Sequence, residues 1–153
     1  MKQKIRVAVA LGSNLGEREK VMGQAVERLK EDLLEESRLS SMIETEPWGI
    51  KDQPKFLNAV MVGWSEWKPP AILNYLKSLE RELGRTQTYL NGPRVIDLDL
   101  ICYGELVWDS EGVQVPHPRM FNRDFVLRPL CEIWPNWTHP ILKKTASELL
   151  SAL

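Results

Sequence analysis

Apolar and polar residues change period several times along the chain, and each change marks an element. Ile5–Leu11 alternates and is rich in β-branched residues, which predicts a strand. The glycine-rich turn GSNLGERE follows. Val21, Ala25, Leu29 and Leu33 then recur every four residues, with Met22 and Val26 beside them, as one face of an amphipathic helix. Leu39–Thr45 predicts a second strand. EPWGIKDQPK, with two prolines and a glycine, keeps neither period and reads as a long loop. Phe56–Trp64 predicts a third strand. Its side chains divide into Phe56, Asn58, Val60, Val62 and Trp64 on one face, and Leu57, Ala59, Met61 and Gly63 on the other.

KPP puts proline in the first turn of the next helix, where its missing N–H costs nothing. Ile72, Leu76, Leu79 and Leu83 form that helix's apolar stripe, and Gly84 is the stop. The polar loop RTQTYLNGP leads into a strand interrupted by acids, with Leu106–Trp108 as its short hairpin partner. VQVPHPRMFNRDF reads as loop and turn. FVLRPLCEI reads as a helix carrying a proline, and TASELLSAL opens on a capping box, Thr145 with Glu148, before a last helix. The order β-α-β-β-α-β predicts an α+β, ferredoxin-like fold. That is an antiparallel sheet with helices on one face, plus C-terminal helical additions.

The length of 153 residues suits one domain over 1–153. With 43% apolar and 27% charged residues the bulk is expected to be ordered, and a net charge of −1 supplies no global field toward nucleic acid or a membrane. No apolar run approaches the roughly 18–20 residues of a span. The basic start MKQKIRVAVALGSN ends its short apolar segment in Gly-Ser-Asn, so it is read as a strand and not as a signal peptide. Cys102 and Cys131 lack CxxC spacing and read as buried free thiols of a cytoplasmic protein.

The chemistry concentrates in NGPRVIDLDLICYG. Alternation puts Asp97 and Asp99 on one strand face, with Ile96, Leu98, Leu100 and Cys102 opposite. Alone, such a pair most often marks a solvated face. But like charges at this spacing repel, and partial burial raises their pKa values. A hard divalent cation relieves both effects. Mg²⁺ takes one or two carboxylates and fills its remaining positions with water and phosphate oxygens, and two carboxylates can bridge a pair of ions. Arg94, three residues earlier, supplies the guanidinium that a polyphosphate requires. No Walker loop or GxGxxG is present, so metal and basic side chains would have to hold any nucleotide.

Four stretches, ALGSNLG (Ala10–Gly16), ETEPWGIKDQPKFLNA (Glu44–Ala59), GPRVIDLDLICYG (Gly92–Gly104) and VPHPRMFNRDFVLRPL (Val115–Leu130), stand in the order of a known family. The chain resembles 6-hydroxymethyl-7,8-dihydropterin pyrophosphokinase, an enzyme of folate biosynthesis. The resemblance implies transfer of a pyrophosphoryl group from ATP to the pterin's hydroxymethyl group, leaving AMP, with two Mg²⁺ ions. It implies that Asp97 and Asp99 ligate metal and that Arg94 is a catalytic arginine on the phosphates. Lys77, Glu80, Arg85, Leu100, His117 and Arg123 fall on ATP-binding positions. Phe56 and Phe125 fall on the aromatics that sandwich the pterin, Asn58 on the side chain that bonds its ring edge, and Thr45, Pro47 and Trp48 on the pocket lining. Read alone, Phe56 and Phe125 would be core and Arg123 a surface charge. His117, between two prolines in a loop, favours exposure over core packing and leaves a ligand role open, whereas His139 reads as structural.

A monomer acting on small molecules is expected; the charge balance argues against a nucleic-acid partner, the lack of a long apolar run against a membrane, and no second folate-pathway domain fits in this length. One segment departs from the family pattern. Leu90-Asn91 stand where the family often has Arg-Trp, and Arg85 is the only cation of the loop before Arg94. Arg85 is therefore expected to reach the site only if that loop folds inward. The alternative is a ferredoxin-like pterin-binding module with weak or lost turnover.

Overall fold

The computed structural model describes residues 3–47, 52–85 and 92–153. The β-branched opening forms β1 (Ile5–Ser13), followed by α1 (Arg18–Asp32), β2 (Glu35–Leu39), β3 (Ile43–Thr45), β4 (Phe56–Ser65), α2 (Pro69–Glu82) and β5 (Asp97–Tyr103). β1 lies between β4 and β5 and pairs antiparallel with both. β2 adds outside β4, giving the order β2-β4-β1-β5 of a ferredoxin-like sheet, with β3 also pairing with β4.

The two faces of β4 divide as the alternation predicts. Leu57, Ala59 and Met61 join Val9 and Leu11 of β1 in a core with Met22, Ala25 and Leu29 of α1 and Ile72, Leu76 and Leu79 of α2. Gly84, with φ +101°, follows the C-terminal end of α2. The other face carries Ala8, Val60 and Val62, which a two-layer fold would leave wet. It is covered by α3 (Asp124–Ile133) and α4 (Ala146–Ser151), through Val126, Leu127, Leu130 and Leu149, together with Trp137. Each such side chain contributes about 1.5–3 kcal/mol on burial. The Trp137 indole N–H donates to the Gly104 carbonyl at 2.8 Å, so its polar atom is satisfied inside this layer. The capping box of α4 forms as expected. His139 is structural: its Nδ1 accepts the N–H groups of Ile141 and Leu142.

Several expectations are corrected. The single strand over 39–45 is two strands, β2 and β3, broken at Ser40. There the serine backbone and hydroxyl both bond the Val60 peptide, and α3's Glu132 accepts from the Ser41 hydroxyl. Serine side chains that engage the backbone compete with a continuous ladder in this way. The hairpin partner at Leu106–Trp108 is instead β6 (Trp108–Ser110). It pairs with β7 (Val113–Val115) in a separate small sheet, and Leu106 makes only an isolated bridge to Tyr103. Glu111 and Gly112 between them both have positive φ, the conformation of a two-residue hairpin turn. Finally, Cys102 does not share a face with Leu98 and Leu100. Val9 pairs with Leu100 and Ala8 with Cys102, so Ile101 is an extra residue. That irregularity turns Ile101 and Cys102 toward the α3 side. Both cysteines are free, but Cys131 is only half-buried. Among the described residues no helix is long and apolar enough to cross a membrane.

Candidate active site

The strand register builds the floor of the site. Gly12 of β1 is paired on one side with Asn58 of β4 and on the other with Asp97 of β5, and Ala10 likewise lies between Val60 and Asp99. These rows face away from α1 and α2. The α3 layer covers this face only from Ala8, Val60 and Val62 onward, so its other end stays open. The result is a cavity of about 270 Å³ lined by Gly12, Thr45, Phe56, Asn58, Asp97 and Asp99 from the sheet. Arg85 and Arg94 close one side, and His117, Arg119, Arg123 and Phe125 descend from the segment after β7. Gly12 has to be small. A β carbon there would lie 2.9 Å from Asn58 Oδ1 and 3.6 Å from a Phe56 ring carbon.

One half of the cavity is flat and apolar with a polar edge. Phe56 and Phe125 supply the rings, and the Asn58 amide donates to the Thr45 hydroxyl. The guanidinium of Arg123 lies 5.5 Å from the Phe125 ring centre, joining this half to the charged one.

The other half is a compact charge network. Asp97 lies 3.0 Å from Arg85 Nη1 through one oxygen and 3.4 Å from Arg94 Nη1 through the other. Arg85 Nη1 is also 2.6 Å from Glu80 Oε2, and that oxygen accepts the Leu98 N–H at 2.7 Å. Glu80 is thus a buried anchor behind Arg85. Burial raises its pKa, and the Leu98 N–H and Arg85 oppose the rise. Asp99 is raised well above the usual carboxylate range by burial first, then by the charges of Asp97 and Glu80, against the pull of Arg123 and Arg85. A divalent cation beside it would reverse that balance.

Burial, and then the Arg123 charge, push His117 down to about 4, so the ring is neutral at pH 7. Its Nδ1 accepts the Arg119 N–H at 3.2 Å, which leaves the proton on Nε2. The folded imidazole therefore binds its proton more weakly than the unfolded one near 6.5. Its contribution to stability is fully present above about pH 6.5 and is lost as pH falls toward 4. Because Asp99 gains stability over the same range, the expected result is a difference: between pH 7 and pH 5 the urea midpoint of wild type falls relative to that of His117→Gln. Equal changes in the two proteins would remove this assignment.

Of the residues singled out from the sequence, Arg94, Asp97, Asp99, Arg85, His117 and Arg123 meet in the charged half, and Thr45, Phe56, Asn58 and Phe125 in the flat half. Arg85, at the start of that loop, reaches Asp97, while the loop positions that follow it lie outside the described residues. Leu100 is buried in the core against α1 and α2, so its side chain is turned from the cavity. Lys77 is exposed on α2, and Pro47 is buried beyond β3 without lining the cavity. Trp48 and loop positions 86–91 lie outside the described residues. Sequence reasoning missed Gly12 and Arg119. ALGSNLG stood out as a motif, but a glycine's role appears only when the register shows what its missing β carbon would strike.

The model of the 7,8-dihydro-6-hydroxymethylpterin-pyrophosphokinase (HPPK) family matches residues 8–135. A protein of Aquifex aeolicus named 2-amino-4-hydroxy-6-hydroxymethyldihydropteridine pyrophosphokinase is 39% identical over 142 residues, covering 93% of this chain and 88% of that one. Its namesake in Porphyromonas gingivalis is 42% identical over 138 residues, covering 88% and 93%. The folic acid synthesis protein of Dictyostelium discoideum is 38% identical over 143 residues, 94% of this chain, but this chain spans only 22% of its length. Among solved structures, wild-type HPPK-DHPS of Plasmodium falciparum has a TM-score of 0.77 at 12% identity, covering 99% of this chain and 45% of that one, a likeness of fold. Matched over most of its length by the family's model and by two relatives of its own size, the chain belongs to the 7,8-dihydro-6-hydroxymethylpterin-pyrophosphokinase family.

Proposed function

We propose that the chain transfers the pyrophosphoryl group of ATP to the hydroxymethyl group of 6-hydroxymethyl-7,8-dihydropterin, giving the pterin diphosphate and AMP. The observation that carries this reading is the row Asn58–Gly12–Asp97. It joins a flat aromatic half to an acid-and-arginine half inside one cavity. The pterin ring lies between Phe56 and Phe125. Asn58, whose amide N–H is committed to Thr45, offers Oδ1 to the ring's N–H edge. Arg94, Arg119 and Arg123 receive the phosphates, with neutral His117 donating from Nε2.

Asp97 and Asp99 fit Mg²⁺. They are adjacent carboxylates, one of them in surroundings that disfavour its charge, and a two-acid set is what an ion sharing its shell with water and phosphate needs. When bound, such ions neutralise charge on the phosphate oxygens. In the transfer, the hydroxymethyl oxygen bonds the β-phosphorus, the bond from that phosphorus to the α–β bridging oxygen breaks, the bridging oxygen leaves on AMP, and the hydroxyl proton is released. The chain's own part is to hold the two reactants in line and exclude water. We further propose that it acts as a monomer in the cytoplasm, where its two free thiols stay reduced.

Mixing the protein with Mg²⁺, ATP and the pterin is expected to yield AMP. ADP as the sole nucleotide product would point to an ordinary kinase. Pterin binding with unchanged ATP would point to the binding module. Within this reading, Gly12→Ala pushes Asn58 off the ring edge and is expected to weaken pterin binding about tenfold or more, in line with the roughly 1–3 kcal/mol of an overpacked site. ATP affinity moves little. Calorimetry showing equal losses for both ligands would mean that the sheet itself, and not the pterin edge, had been disturbed.

A further inference from the structure

A buried polar side chain just outside the cavity ties its two halves together. Asn14 follows β1 directly and is 1% exposed. Its Oδ1 accepts the Arg94 backbone N–H at 2.8 Å. Its Nδ2 donates to Gln53 Oε1 at 2.8 Å and to the Pro54 carbonyl at 3.0 Å. Its own backbone N–H donates to the Arg94 carbonyl at 3.0 Å. The orientation of the side-chain amide is forced, because Arg94 N–H needs an acceptor and the Pro54 carbonyl needs a donor.

The two segments joined this way lead to opposite halves of the site. Arg94 places its guanidinium on Asp97 in the charged half. Pro54 stands two residues before Phe56, where β4 and the flat half begin. Residues 52–55 and 92–96 belong to no helix or strand, so no ladder sets their spacing. The same turn touches the first segment again through Arg18 Nη1, which donates to the Lys55 carbonyl at 3.0 Å.

We infer that Asn14 is a positioning residue that fixes the Arg94 segment and the Gln53–Pro54 segment at one spacing, so that filling the flat half and filling the phosphate half are energetically coupled. This rests on the proposed two-substrate reading. A cross-link of this kind acts on the second ligand through the first, and reciprocally. Asn14→Asp keeps the acceptor for Arg94 and the shape of the side chain but removes the donor to Pro54. Gln53 can turn its amide to meet the new carboxylate, whereas a proline carbonyl cannot.

The test is calorimetry of the pterin with and without the non-hydrolysable α,β-methylene analogue of ATP, in the presence of Mg²⁺, on wild type, Asn14→Asp, Asn14→Ala and Gln53→Ala. In the wild type the analogue is expected to tighten pterin binding at least roughly fivefold, the lower end of ordinary coupling. In Asn14→Asp that ratio falls toward one, while each ligand alone keeps its affinity within about threefold, as a link without direct ligand contact requires. Turnover drops in kcat more than in either KM. Gln53→Ala, which leaves Asn14 in place, gives an intermediate ratio and keeps the test decisive if Asn14→Ala fails to fold. A wild-type ratio retained in Asn14→Asp, or equal losses with one ligand and with two, overturns the inference, as does a wild type that shows no coupling; in each case the functional reading stands. A wild type that binds neither ligand overturns both.

Discussion

Asp97→Asn and Asp99→Asn are each expected to lower AMP formation by about 10²–10³-fold, the usual loss when a charge-stabilising group is removed from a reacting centre. Their effects on stability are expected to have opposite signs. Asp99 is raised by burial and by its acidic neighbours, so the folded state binds its proton more tightly than the unfolded chain does. Its contribution is therefore fully present at low pH and is lost as pH rises through the folded pKa. Replacing it with neutral asparagine relieves that loss, and Asp99→Asn should unfold at higher urea than wild type at pH 8 without metal. Asp97 is instead the shared counterion of Arg85 and Arg94. Asp97→Asn leaves two guanidinium groups facing each other and should unfold earlier. Mg²⁺ should raise the wild-type midpoint and neither variant's. If both variants unfold together with wild type, or if either keeps its turnover at saturating Mg²⁺, the acids are not the metal and charge centre described here.

What could be read from the sequence follows from where burial leaves a mark. At their cavity ends β4 and β5 pack one face into a core, so period-two alternation sets Phe56 with Asn58, and Asp97 with Asp99, as shared-face pairs. β2 has no such face. Its Glu35–Leu39 pattern is almost wholly exposed, so nothing in it alternates and the strand was placed too late. The irregularity at Ile101 depends on which β1 residue pairs with which, a property of two strands that one cannot show. Glu80 looks like any helix-surface acid beside Leu79. Only the approach of Arg85 and the Leu98 N–H makes it a buried anchor. Phe56 and Phe125 carry no local sign of function, because an aromatic on a core-forming strand or helix is core by default. The family resemblance singled them out, and the structure places both in the cavity, half-buried.

The two arginines on Asp97 should separate cleanly by the quantity each one moves. Arg94 enters from a segment anchored by Asn14, which bonds both its backbone N–H and its carbonyl, and its guanidinium pairs with Asp97. A fixed donor next to the reacting phosphates acts mainly in the transition state, and Arg94→Ala should lower kcat by about 10²-fold or more. Arg85 is committed differently. It bridges Glu80 and Asp97, and the loop that follows it holds no other cation before Arg94. Removing it strands Glu80, whose burial already disfavours its charge, with the Leu98 N–H as its remaining hydrogen-bond partner among the described residues. Arg85→Ala should therefore cost stability, about 1–3 kcal/mol for a buried charged hydrogen bond left unmade. It should also raise the KM for ATP while lowering kcat less than Arg94→Ala does. Glu80→Gln separates the roles further, since an amide oxygen still accepts the Leu98 N–H but no longer holds Arg85 by charge. It should reproduce the binding defect of Arg85→Ala with a smaller loss of stability. Urea unfolding with steady-state kinetics on the three variants decides the matter. A larger fall in kcat for Arg85→Ala than for Arg94→Ala would mean that Arg85 leaves Glu80 and Asp97 during turnover and carries the transferred phosphates itself.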